Sequence, residues 1–274
     1  MWYNLCIYEI SEVRTVPLGI LPFLSSLADA VVRERPTTAV ILAAGSSERF
    51  SEGTGEKKQF FPVGGVPAVV RSAQAFDECP DVKEIIVVTG EEDVERCRGL
   101  LEGRISKLAA VVPGGDVRMR SAEAGLEKAS PSSRFIAVHD AARCLVTPDA
   151  IKKVIAAASR AGAAVAACPA TDTVKRSDGY DTVEETLDRN RVWLISTPQV
   201  FTANLYRAAL YSALKDGASV TDDAMMAERL GFKVKLVDCG RENIKITYPE
   251  DAAIAEAILA RRAANGEGSK EDAK

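Results

Sequence analysis

Ala39-Val40-Ile41-Leu42-Ala43-Ala44-Gly45-Ser46-Ser47-Glu48-Arg49 is the stretch on which the reading of the fold turns. An unbroken apolar run that closes on glycine and small polar residues is expected of a strand buried on both faces, followed by a tight turn. Small residues let the backbone of such a turn come close to a bulky anion, and successive N–H groups can point at phosphate oxygens. The pattern is neither G-x-G-x-x-G nor the Walker A sequence, so a dinucleotide or P-loop reading lacks its fingerprint. Many strand-to-turn junctions serve geometry alone.

Working outward, similar runs recur at Ile85-Ile86-Val87-Val88, Phe135-Ile136-Ala137-Val138, Ala163-Ala164-Val165-Ala166-Ala167 and Val234-Lys235-Leu236-Val237. Helical patterns lie between them. Pro67 stands near the start of one, with Val69, Val70, Ala73 and Phe76 at helical spacing. Others cover residues 91–101, begin at Pro148 with Ile151, Val154, Ile155 and Ala158 inward, and begin at Tyr248-Pro249 and end near Arg262. Alternating strands and helices predict an α/β domain, with a mostly parallel, Rossmann-like sheet flanked by helices. Ligands of such sheets bind beyond the carboxyl ends of the strands.

One segment, about 171–196, breaks the alternation with short strand-like stretches around Ser177-Asp178-Gly179-Tyr180-Asp181. Asp178-Gly179 is a hairpin turn signal, so an inserted β-hairpin arm is expected. A partner-binding arm and a plain surface hairpin both fit so polar a segment. Residues 1–36 lack a clear period and read as an N-terminal extension; 37–262 form the domain; 263–274 are polar and expected to be disordered. The apolar stretch from Val16 to Leu27 follows Glu9 and Glu12 without a lysine, which does not suit a secretory signal.

Composition narrows the function. The 274 residues carry a net charge of −4, so no general basic field for nucleic acid is present. No stretch is long and apolar enough to suggest a membrane span. The cysteines, Cys6, Cys79, Cys97, Cys144, Cys168 and Cys239, form no C-x-x-C pair and suit small buried hydrophobes in a reducing cytoplasm. His139 is the only histidine, so zinc sites with several histidine ligands are excluded.

Further motifs follow in order: Lys57-Lys58-Gln59, Gly114-Gly115-Asp116-Val117-Arg118-Met119-Arg120-Ser121, His139-Asp140-Ala141-Ala142-Arg143, Asp172-Thr173-Val174-Lys175, Asp188-Arg189-Asn190, Thr197-Pro198-Gln199, Thr221-Asp222-Asp223 and Asn243-Ile244-Lys245-Ile246-Thr247. Together with the Gly45 turn, over about residues 38 to 262, they resemble the 2-C-methyl-D-erythritol 4-phosphate cytidylyltransferases of the sugar-nucleotidyltransferase superfamily.

The resemblance implies the nucleotide-diphospho-sugar transferase fold and transfer of CMP from CTP to a phosphorylated polyol, with pyrophosphate leaving. It implies catalytic roles for Arg49, Lys58, Arg189 and Lys245, and nucleotide contacts from Ala43, Ala44, Gly45, Gly115, Asp116 and Ser121. Asp140, Arg143, Thr173, Arg189, Thr197, Thr221 and Lys245 would meet the acceptor. Asp140 would also hold Mg2+, a hard cation suited to triphosphate oxygens; the plainer role for Asp140 is a helix cap or turn former. The arm would cross to a second subunit in a homodimer, placing Arg189 in the partner's site. A ribitol 5-phosphate cytidylyltransferase and a non-catalytic nucleotide sensor are the alternatives. Cys144 follows Arg143 where the family usually has proline, which is expected to loosen that turn.

Overall fold

The computed structural model describes residues 34–266. The strands are β1 (Thr37–Ala43), β2 (Pro62–Val63), β3 (Val66–Pro67), β4 (Val82–Thr89), β5 (Leu108–Pro113), β6 (Phe135–Asp140), β7 (Ala163–Pro169), β8 (Lys175–Ser177), β9 (Val183–Thr186), β10 (Trp193–Thr202) and β11 (Lys235–Asp238). The helices are α1 (Glu48–Thr54), α2 (Ala68–Asp77), α3 (Val94–Leu101), α4 (Arg118–Lys128), α5 (Pro148–Ala161), α6 (Ala203–Lys215), α7 (Asp223–Arg229) and α8 (Pro249–Ala264). The expected N-terminal extension is described only from residue 34 and the tail only to 266. Cys6 and the Val16 to Leu27 stretch lie outside the described residues.

The main sheet runs β11-β7-β10-β6-β1-β4-β5. All neighbours are parallel except β10, which lies antiparallel between β6 and β7. Because side chains alternate along a strand, β1 sends Ala39, Ile41 and Ala43 to one core and Val40 to the other. The first core also takes Val69, Val70 and Phe76 of α2 and Ile151, Val154 and Ile155 of α5. The second takes Ala122 and Leu126 of α4, and Tyr206 and Leu210 of α6. Each large side chain buried in these layers contributes about 1.5–3 kcal/mol relative to exposure. A third cluster joins Phe50 of α1 to Val63, Leu145, Ile246 and Ala255.

Several expectations are refined. Residues 91–93 form a 3-10 turn before α3. The arm is the β8–β9 hairpin, but its turn is longer than two residues: Asp178 N–H donates to Thr182 O, and Asp178 Oδ1 accepts from Tyr180 N and Thr182 N. The end of the expected arm belongs to the main sheet, because Trp193, Leu194 and Ile195 pair with β7.

Gly125 sits inside α4, where glycine costs about 1 kcal/mol relative to alanine. Packing explains it. A Cβ there would lie 2.4 Å from Val40 Cγ1 and 2.9 Å from Val88 Cγ2. Both neighbours are stiff, β-branched and buried in central strands. Gly125→Ala is therefore expected to lower unfolding stability by about 1–3 kcal/mol despite its better helix propensity. Urea denaturation measures this, and an unchanged or raised midpoint would contradict the tight packing.

Candidate active site

Parallel register builds the site. Leu42 pairs with Asp140, Ala43 with Thr89, and Thr89 with Pro113. The loops after β1, β4, β5 and β6 therefore leave the sheet side by side at one edge. Gly114 N–H donates to Thr89 O at 2.7 Å and Ala141 N–H to Leu42 O at 2.9 Å. These loops open onto a cavity of about 650 Å³, a size that suits a nucleotide.

The floor is made of small residues. A Cβ on Gly114 would lie 2.6 Å from Ser121 Oγ and 2.8 Å from the Ala44 side chain. The loops after β1 and β5 thus meet where only glycine fits, and Gly115 N–H donates to Ser121 Oγ at 3.2 Å. On the other side, Ser47 adopts φ 64°, an uncommon conformation away from glycine. Its hydroxyl donates to Gln59 Oε1 at 2.8 Å, and Gln59 Nε2 reaches back to Gly45 O at 3.4 Å. Buried Gln59 ties the Gly45 turn to the lysine segment.

Charge gathers around Asp140 at the end of β6. Its Oδ2 accepts from Lys245 Nζ at 2.8 Å, and its Oδ1 lies 3.4 Å from Arg118 Nη2. Burial works against the Asp140 charge, but Arg118 and Lys245 outweigh it and hold the carboxyl well below the usual range. Arg118 also pairs with Asp223, whose carboxylate is buried and accepts from Tyr206 Oη at 2.8 Å. Burial opposes the charge of Arg118 as well, and Asp223 and Asp140 more than restore it. Lys245 is placed by its neighbour Ile246, which is fully buried and whose N–H donates to Ala142 O at 2.9 Å. Lys58 is half-buried and lines the same cavity. Burial lowers its pKa, and Lys245 and Arg49 add to that while Asp140 opposes it.

The structure brings together Ala43, Ala44, Gly45, Lys58, Gly115, Asp116, Ser121, Asp140 and Lys245 as cavity-lining residues. The other expected residues do not line this cavity, although Arg143 Nε lies 4.0 Å from Asp140 Oδ2. Arg49 lies with its guanidinium 5.3 Å from the centre of the Tyr248 ring. Arg143 donates to Asn243 O at 3.0 Å. Thr197 is buried, and its Oγ1 accepts from Asp140 N–H at 3.0 Å. Thr173, Arg189 and Thr221 are exposed, and Arg189 Nη1 donates to Thr171 O at 3.0 Å. Arg118 lines the cavity and was not among the expected site residues. Its signal in the sequence is the spacing to Ser121, three residues apart on one helix face. Arg120, its neighbour in sequence, instead pairs on the surface with Glu123. Among the described residues no cluster of three or more His, Cys, Asp or Glu forms a metal cage. A single carboxylate still suits Mg2+ when substrate phosphates supply other ligands.

The turn after Arg143 is well held without proline. Arg143 N–H donates to Asp140 O at 2.9 Å and Val146 N–H to Arg143 O at 3.2 Å. Cys144 is buried in the third cluster, and burial pushes its thiol up to about 11.

His139 is fully buried, with Nδ1 2.9 Å from Thr197 Oγ1 and Nε2 3.3 Å from Arg143 O. Burial lowers its pKa to about 3. The unfolded chain, with a pKa of about 6.5, protonates first as pH falls. The neutral histidine thus contributes stability that is fully present above about pH 6.5 and is lost toward lower pH, at up to about 1.4 kcal/mol per pH unit. In metal-free buffer, His139→Gln is expected to flatten the pH dependence of urea stability between about pH 6.5 and 5. Equal slopes for the two proteins would contradict a neutral, buried ring.

Comparison with known proteins agrees with this geometry. The sequence profile of 2-C-methyl-D-erythritol 4-phosphate cytidylyltransferase (IspD) matches residues 37–261. A relative of that name from Symbiobacterium thermophilum is 41% identical over 228 residues, covering 83% of this chain and 94% of the relative. One from Caldanaerobacter subterraneus subsp. tengcongensis is 41% identical over 224 residues, covering 81% and 98%. Among solved structures, 4-diphosphocytidyl-2C-methyl-D-erythritol synthase from Anaerococcus prevotii superposes with a TM-score of 0.76 at 30% identity, covering 85% of this chain and 99% of that one. No helix among the described residues is long and apolar enough to cross a membrane. The chain belongs to the 2-C-methyl-D-erythritol 4-phosphate cytidylyltransferase family.

Proposed function

We propose that the protein transfers CMP from CTP to the phosphate of 2-C-methyl-D-erythritol 4-phosphate, giving 4-diphosphocytidyl-2-C-methyl-D-erythritol and pyrophosphate. The observation that carries this reading is the convergence of Lys58, Lys245 and Arg118 on one cavity whose floor is cleared by glycines. An oxygen of the acceptor phosphate forms a bond to the α-phosphorus of CTP as the bond to the pyrophosphate oxygen breaks. A phosphate monoester loses its second proton near about pH 6, so the nucleophile is already anionic. No general base is needed, in keeping with a histidine that is buried and neutral.

The chain's task is then positioning and charge neutralisation. The Gly45 and Gly115 loops cradle the nucleotide. Lys58 faces the phosphates, and Lys245 the acceptor phosphate. Asp140 would hold Mg2+, which supplies further neutralisation of the triphosphate. Cytoplasmic residence suits the free, buried thiols of Cys79, Cys97 and Cys144.

The arm supports a homodimer. Tyr180, Val183, Leu194 and Ile195 on and beside it are exposed apolar residues, and Arg189 does not line the cavity beside Asp140. In this reading Arg189 and Thr173 complete the site of the second copy.

Pyrophosphate release tests the reaction. With Mg2+ and CTP, turnover is expected with the methylerythritol phosphate and not with ribitol 5-phosphate, and UTP, GTP or ATP should replace CTP poorly. Preference for ribitol would overturn the acceptor assignment, and CTP binding without turnover would overturn catalysis. Lys58→Ala is expected to lower kcat about 100-fold or more while changing CTP affinity only a few-fold. Similar small losses in both would remove its transition-state role.

Subunit mixing tests the arm. Arg189→Ala and Lys245→Ala proteins, each inactive, should together recover up to about a quarter of wild-type activity, since a mixed dimer holds one intact site. Mixed dimers without activity would exclude action across the interface.

A further inference from the structure

Lys58 has to be held in place against its surroundings. Lys245 and Arg49 repel it while Asp140 attracts it, and no hydrogen bond or ion pair fixes its ammonium among the described residues. It also rides on an irregular segment between α1 and β2 rather than on a helix or strand.

The segment is pinned on either side of Lys58. Before it, Glu56 forms a two-pronged pair with Arg96 of α3, Nη1 to Oε1 at 3.0 Å and Nη2 to Oε2 at 2.7 Å. Glu56 Oε1 also accepts from Lys57 N–H at 2.8 Å. After it, the same Arg96 guanidinium lies 4.3 Å from the centre of the Phe60 ring, and Phe60 is buried. Lys57 Nζ is clamped 2.5 Å from both Glu92 and Asp93, in the turn that leads into α3. Helix α3 and the turn before it thus grip the chain at residues 56, 57 and 60.

We propose that the Glu56–Arg96 pair, aided by the Lys57–Glu92–Asp93 clamp, is a latch that positions Lys58 for catalysis. An isolated surface ion pair is worth only about 0–1 kcal/mol. The fork geometry and the ring beneath the guanidinium make this one more directional. Neither Glu56 nor Arg96 lines the cavity, so they are positioning residues and act through Lys58. A small displacement of a catalytic group is costly to rate even when binding survives.

This rests on the catalytic role proposed for Lys58, and the test separates the two ideas. Glu56→Gln keeps the side-chain shape at a solvent-accessible site. It is expected to lower kcat about fivefold or more, with KM for CTP within about twofold and little change in melting temperature. Arg96→Gln should do the same. In a Lys58→Ala background, Glu56→Gln should lower the residual rate no further, since the latch then has nothing to position. If Lys58→Ala keeps its kcat, the role of Lys58 fails and the latch loses its object. If Lys58→Ala is crippled while Glu56→Gln turns over like the wild type, or the two losses multiply, the latch is overturned and Lys58 stands.

Discussion

Asp140 holds its negative charge between Arg118 and Lys245, and much of the site is arranged around that carboxylate. A buried carboxylate without partners would sooner be neutral than charged. Here the partners come from distant parts of the chain. Arg118 opens α4 and is itself anchored on Asp223, beside Tyr206 of α6. Lys245 arrives on the segment before α8. Thr197 of β10 fixes the Asp140 backbone through its hydroxyl. The start of α4 and the segment before α8 therefore meet at one carboxylate, the reversed strand holds the backbone of the same residue, and α6 and α7 are tied in through Arg118 and Asp223.

The catalytic reading follows from what surrounds that carboxylate. Cations line a cavity whose floor is backbone and small side chains, which suits a polyanionic nucleotide. The one imidazole nearby is buried against Thr197 and the Arg143 carbonyl, so it serves the scaffold. Chemistry that needs an anionic nucleophile and no proton transfer fits such a site. Precision then matters more than acid–base tuning. The segment of Lys58 is pinned by α3 and that of Lys245 by buried Ile246, two ways in which a fold can lend precision to flexible side chains.

Much of the sheet was legible in the sequence because parallel strands covered on both faces appear as unbroken apolar runs. β1, β4, β6 and β7 were visible in that way, and β11 as a shorter run that Lys235 interrupts and that lies largely exposed at the sheet edge. β10 was not. It carries Ser196, Thr197, Pro198 and Gln199, which argue against a central strand, and its pairing with β7 shifts register between Ile195 and Gln199. Its buried polar residues serve the site: Gln199 joins Asp222 to the start of α7, as Thr197 joins β10 to Asp140. β5 was missed as well, because Leu108, Ala109 and Ala110 are only partly buried or exposed at the sheet edge.

By itself the sequence determined the α/β class, the small-residue turn after β1, and the residue types at the ends of the parallel strands, because these depend on local pattern and spacing. Tertiary structure decided which charges meet. Arg118 and Arg120 are near neighbours in sequence, yet one reaches Asp140 and Asp223 while the other pairs with Glu123 on the surface. Arg49 rests against Tyr248, and Glu56 is gripped by Arg96. The reason is physical: a side chain's partner depends on burial and on which distant segment packs against it, and neither is written in the residues beside it.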